Sequence, residues 1–376
     1  MTNKKIIYID QKQLTHPALA SVLGDFPQHD WPALLKYSQH NLGATTLYCR
    51  YGKNTFPLKI DVDILGWTSP EYNSNFKKTW ADITNQRCID LWTTHSHLPW
   101  LVCWSGGIDS TTILTSILQN LSPQDFSNIH VACDFSSICE NPEFFYKHIQ
   151  PNFKIIDSSK LVFDQALASY FIINGELADQ LFSGVTAQDL MLLDRNLLDR
   201  DLRKSPDQLL SYLTQRVDEH FAIWFYEQLM ENISGVDIPL STYHDFFWWS
   251  YFNLIWITTK FRSLYFEIDS NQQGLQAYLN RVISWFDTVD YQQWAMCNNH
   301  HGIKYGNNIG EYKLVAKQYI HAFDHNDYYL KFKIKTTSVS RLTYQKKWFC
   351  ILDDLTRLNL NDDLEQILEL LPAHIC

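Results

Sequence analysis

The stretch LVCWSGGIDSTTILTSIL (residues 101–118) constrains the fold more than any other part of the chain. An apolar run, LPWLVCW over 98–104, ends in Ser-Gly-Gly and is followed at once by an amphipathic segment, TTILTSILQNL over 111–121. A strand apolar on both faces belongs inside a parallel sheet with helices on each side; a half-exposed strand would alternate. The theme then repeats. NIHVACDF (128–135) and FKIIDSS (153–159) read as strands, NPEFFYKHI (141–149) and VFDQALASY (162–170) as helices, and FIING (171–175) as the strand that closes the set. Alternation over short links predicts βαβ units: an α/β fold with a parallel sheet and helices on both faces.

Outside this block the pattern changes. Residues 1–75 predict a small mixed α+β region, with strand candidates KKIIYID (4–10), ATTLYCRYG (44–52) and FPLKIDVDIL (56–65). Residues 76–185 form the core, opened by a helix over 76–94. Residues 186–376 read as mostly helical: a long helical period over 205–233, a segment apolar almost all round at 243–266, and NDDLEQILELLP at 361–372. WSYFNLIW (249–256) reads as core.

Charge narrows the partners. The formal net charge is −10 and no long basic cluster exists, so a phosphate-backbone partner is disfavoured. The eight cysteines, Cys49, Cys88, Cys103, Cys133, Cys139, Cys297, Cys350 and Cys376, form no Cys-x-x-Cys pair and predict reduced thiols in a cytoplasmic protein. No positively charged leader and no run of ~20 apolar residues is present, so neither export nor a membrane span is expected. His300 and His301 are adjacent and face apart on any regular element, so no metal centre is expected there.

The loop SGGIDS (105–110) carries the chemistry. Glycines let backbone come close to a ligand, and N–H groups converge at the positive end of the following helix, which makes a phosphate cradle. Ser105 and Ser110 add hydroxyls beside Gly106 and Gly107. Asp109 repels a bare phosphate and makes sense only with a divalent cation between them. The loop is neither Gly-x-x-x-x-Gly-Lys-Ser/Thr nor Gly-x-Gly-x-x-Gly.

Ser-Gly-Gly-Ile-Asp-Ser resembles the PP-loop of the ATP pyrophosphatases, the adenine nucleotide alpha-hydrolase superfamily. INGELADQLFSG (173–184) is similar to a second motif, found in the synthetase domain of asparagine synthetase-like enzymes. Asn174, Glu176 and Gln180 depart from that pattern. Glu176 is open between an outer acid of the metal site and a solvated turn residue. A third, weaker similarity covers EYKLVAKQYIHAFDHNDYYLKFKIK (311–335). SWFDTVDYQQWA (284–295) resembles a further family stretch whose upstream glutamate is missing here.

The resemblance implies a PP-loop, HUP-like fold binding ATP and Mg²⁺. Ser105, Gly106, Gly107, Asp109 and Ser110 would hold the nucleotide, and Asp109 and Asp179 the magnesium. Lys313 and a second lysine, Lys333 or its neighbours Lys331 and Lys335, would be the catalytic charge stabilisers, unless KFKIK is simply a solvated basic strand. The implied activity is that of an AMP-forming ligase, joining a small-molecule or peptide acyl substrate to an amine donor. Position two is Thr2 and residues 1–75 are too short for the family's glutaminase domain, so that region is a candidate for contact with a partner subunit. The alternatives are a nucleobase- or tRNA-modifying enzyme of the same superfamily and a non-catalytic nucleotide-binding subunit.

Overall fold

A computed structural model describes residues 6–9, 50, 69–182, 195–215, 219–261, 272–299, 301–304, 306, 309–333, 349–352 and 357–359. Strand β1 (Ile6–Ile9) comes first. Helix α1 (Trp80–His95) begins four residues after the expected start at 76, at the first residue of the apolar spacing, because Thr79 and Asp82 form a reciprocal capping box that fixes the start. Strand β2 (Trp100–Cys103) leads through the glycine loop into α2 (Ile108–Asn120). Next come β3 (Ile129–Cys133), α3 (Phe135–Glu140) and α4 (Pro142–Phe144), the last continued by a π-helical turn over Phe145–Ile149. Strand β4 (Lys154–Asp157), α5 (Phe163–Ser169), β5 (Phe171–Asn174) and α6 (Ala178–Phe182) complete this half.

The second half is largely helical. The period over 205–233 resolves into α7 (Pro206–Thr214) and α8 (Glu219–Ser234) rather than one helix. Helix α9 (Tyr243–Ser250), a π turn at Tyr251–Ile255 and α10 (Trp256–Phe261) follow, with Trp248, Trp249, Phe252 and Trp256 buried as core. Then come α11 (Gln272–Arg281), strand β6 (Val282–Ser284), α12 (Val289–Cys297) and α13 (His301–Lys304). Helices α14 (Leu314–Asp324) and α15 (Asp327–Phe332) precede β7 (Phe349–Leu352) and β8 (Arg357–Asn359).

Five strands make one parallel sheet in the order β4-β3-β2-β5-β6. Trp100, Leu101 and Val102 are all fully buried. Successive strand residues point to opposite faces, so β2 is covered on both. FIING does not close the set: β6, a three-residue strand from the helical half, pairs Ser284 with Asn174 beyond it. The chain runs outward from β2 to β3 and β4, then returns to the other side of β2 with β5 and β6. The carboxyl ends of β2 and β5 therefore flank the point where the winding reverses, which is where open α/β sheets bind ligands.

Strand β1 pairs antiparallel with β7, which pairs with β8, so the two ends of the chain share a small sheet. Arg50 is also tied to the helical half: its guanidinium donates to Gln292 Oε1 at 2.7 Å and stands 4.2 Å from the Trp256 ring centroid. The other two strand candidates of the N-terminal region, apart from Arg50, and the helix at 361–372 lie outside the described residues. Among the described residues no helix is long and apolar enough to cross a membrane.

Candidate active site at the β2–β5 sheet edge

The loop between β2 and α2 is shaped by Gly106, whose φ of 75° lies in the left-handed region. A Cβ there would collide with the Ser137 carbonyl oxygen and the Glu140 side chain, so only glycine permits this close approach. Gly107 is the N-cap of α2. The two serines turn toward each other: Ser105 N–H donates to Ser110 Oγ at 3.1 Å, and the hydroxyls lie 3.2 Å apart. Ser105 Oγ also accepts from Gly107 N–H at 3.4 Å. Gly106→Ala should cost about 2 kcal/mol through backbone strain alone. Urea unfolding of that variant tests the effect.

The second motif lies directly against the first. A Cβ on Gly175 would fall 3.2 Å from Asp109 Cβ, so the end of β5 touches the first turn of α2. Asn174 Oδ1 accepts from Glu176 N–H at 3.1 Å, and Ser284 Oγ donates to Glu176 O at 2.5 Å, which sets the turn. Leu177 then adopts φ 70°, a left-handed conformation uncommon for a bulky residue, immediately before α6 presents Asp179.

Asp109 and Asp179 meet on Lys313. Its Nζ lies 2.5 and 2.6 Å from the Asp109 oxygens and 2.7 Å from Asp179 Oδ1. Tyr312 donates its hydroxyl to Asp179 Oδ1 at 3.2 Å. Lys313 is itself left-handed, with φ 55° at the N-cap of α14, and its N–H donates to Lys304 O at 3.0 Å. Its side chain is 1% exposed, against 25% for Asp109 and 31% for Asp179, so the carboxylates face solvent and the ammonium lies behind them. Burial acts to lower the Lys313 pKa, but the two carboxylates outweigh it and hold the group above its ordinary value. Phe182 lies 5.7 Å from the ammonium and packs on Trp80 and Trp294, giving the site a rigid apolar floor.

Lys333 stands at the other rim. Its Nζ is 2.7 Å from Glu140 Oε1, and Glu140 packs against Gly106. The basic-strand alternative for KFKIK is corrected over Lys331 and Phe332, which end α15; Lys331 is exposed, and Lys335 lies outside the described residues. His300 is also outside them. The residues not singled out in the sequence are Tyr312, Glu140 and Lys317, a lysine wholly inside the protein. Lys317 donates to Gly310 O and, at 3.2 Å, to Lys333 O, and burial pushes its pKa down to about 8. An acid just before Asn141-Pro142 signals only a helix end, and an isolated lysine in an amphipathic helix signals a solvated face.

Two carboxylates reaching one nitrogen are spaced to share a cation, and an all-oxygen pair suits magnesium, which takes one or two carboxylates plus phosphate oxygens and water. Among the described residues no group of three or more His, Cys, Asp or Glu is gathered for a metal. The chain matches no protein-family model, no curated protein and no solved structure.

Proposed function

We propose that this protein is an ATP-dependent, AMP-forming ligase that activates a carboxylate or amide oxygen and couples the acyl group to an amine. The observation that carries the proposal is the convergence of Asp109 and Asp179, 70 positions apart in the sequence (179 − 109), on one buried ammonium at the reversal point of a parallel sheet. A glycine loop with a left-handed Gly106 lies on one side of that point, and the β5–β6 edge on the other. Polyphosphate over the first and acyl substrate over the second is the arrangement this edge favours.

In this reading the first turn of α2 offers N–H groups to the departing pyrophosphate, with Ser105, Gly107 and Ser110 bracing the loop. Asp109 and Asp179 would hold magnesium, which when bound neutralises polyphosphate charge and so eases the leaving of pyrophosphate. Lys313 stabilises negative charge developing near the same carboxylates, and Lys333 does so from the opposite rim. An acyl oxygen forms a bond to the α-phosphorus as the bond to the bridging oxygen breaks. The amine then forms a bond to the acyl carbon, AMP leaves, and the amine gives up a proton.

The test is incubation with Mg·ATP and pooled carboxylic acids, amino acids and peptides, followed by mass spectrometry for AMP, pyrophosphate and acyl-adenylate. Wild-type protein should yield AMP and pyrophosphate in equal amounts, and Asp109→Ala neither. ADP and phosphate instead, or products undiminished in Asp109→Ala, would contradict the proposal.

A further inference from the structure

We infer that Glu140 is a positioning residue of the phosphate loop: it fixes Lys333 at the rim and, through its own charge, weakens the hold on pyrophosphate so that product leaves. The inference rests on reading residues 105–110 as the pyrophosphate loop. Glu140 ends α3 with its side chain along both glycines: Oε1 would be 3.7 Å from a Cβ on Gly107, and Glu140 Cβ 2.8 Å from one on Gly106. A carboxylate at an anion-binding loop opposes the ligand unless a cation offsets it. Lys333 is that cation, at 2.7 Å. With Lys333 10% and Glu140 15% exposed, the pair is largely withdrawn from water, unlike a loose surface pair.

The main chain of Lys333 is held as well. Its N–H donates to Tyr329 O at 3.1 Å and its carbonyl accepts from Lys317 Nζ at 3.2 Å. The Lys317 ammonium also donates to Gly310 O, just before Lys313. Lys317 therefore ties together the two segments that carry the site lysines. With its backbone fixed, Lys333 reaches toward a phosphate only by sharing its ammonium between that phosphate and Glu140. Pyrophosphate and Glu140 compete for one cation, and Glu140 sets the strength of the competition.

Calorimetric titration of inorganic pyrophosphate, with magnesium present, into the full-length protein tests this. Glu140→Gln should bind about tenfold more tightly than wild type and Lys333→Met about tenfold more weakly, the size expected for one charge at this range in a partly shielded site. The double variant should bind more tightly than Lys333→Met by only a few-fold, since no ammonium remains to be released. A variant damaged in folding would bind more weakly, so tighter binding has no purely structural explanation, and the double variant leaves no lone buried charge. The gain on removing Glu140 in either background supports the assignment; its absence from both overturns it. Wild-type protein that takes no pyrophosphate overturns the loop reading too, whereas failure with a binding wild type overturns the role of Glu140 alone.

Discussion

Lys313→Met is expected to lower the unfolding free energy by about 3 kcal/mol at pH 7, the largest stability effect of any single substitution at this site. Removing one partner of a buried ionic cluster costs about 3–5 kcal/mol because a charge is left uncompensated. Here two carboxylates are left facing each other, but each is a quarter to a third exposed, which places the effect at the low end. Adding Asp109→Asn to Lys313→Met should restore much of the loss. The pH dependence has a definite sign. The folded pKa of Lys313 lies above the ordinary 10.5, so its contribution is fully present below pH 10.5 and is lost as pH climbs through the higher folded value. Urea unfolding of wild type and variant across that alkaline range should show the step in the wild type alone. A variant as stable as wild type at pH 7 would mean that the Lys313 contacts hold nothing together.

Asp179→Asn should have the largest functional effect. The amide keeps the shape and can still meet Tyr312, but it removes half of the paired charge that would share a divalent cation. ATP affinity in saturating magnesium should fall about a hundredfold, and AMP-forming turnover about a thousandfold or more. The discriminating measurement is the ratio of ATP affinity with and without magnesium: it should be large in wild type and near one in Asp179→Asn. Tyr312→Phe, which removes only the hydroxyl on Asp179, should leave that ratio intact. If Asp179→Asn keeps a wild-type ratio, the carboxylate pair has no role in binding the metal–nucleotide complex.

Much of the central sheet is legible in the sequence for one physical reason: strands covered on both faces are written as apolar runs, interrupted in β3 only by the partly exposed His130. WLVC, IHVAC and FIIN stand out between amphipathic helices. Strand β6 is not legible, because VIS is three residues long, is half-buried, and follows a helix directly. Only pairing with β5 makes it a strand. The two halves of the 205–233 helix share one apolar period, so the break near Gln215 leaves no trace in spacing. The π turns at Phe145–Ile149 and Tyr251–Ile255 are invisible for the same reason.

The candidate site divides in the same way. Gly106 and Asp109 are readable because loop chemistry is local: a left-handed turn requires glycine, and an acid in a glycine loop at a helix start calls for a cation, whereas Asp179 is reached only through the resemblance of INGELADQLFSG. Lys313 is readable only through the resemblance, since nothing in EYKLVAK shows that its lysine adopts a left-handed conformation and turns inward. Glu140 and Lys317 are decided wholly by tertiary contact. Their side chains look solvent-seeking in the sequence, and burial is what gives them a part in the site.

The late arrival of β6 has a consequence for how the molecule is made. Its partner β5 leaves the ribosome more than a hundred residues earlier, as the Glu176–Ser284 separation shows. Until then β5 has one open edge, and the apolar Ile172 and Ile173 beside it lack their neighbours Val282 and Ile283. An open, apolar edge recruits other chains. The nascent protein thus passes through an interval in which its finished-looking first half is sticky, and cutting the chain anywhere between residues 182 and 282 would make that interval permanent.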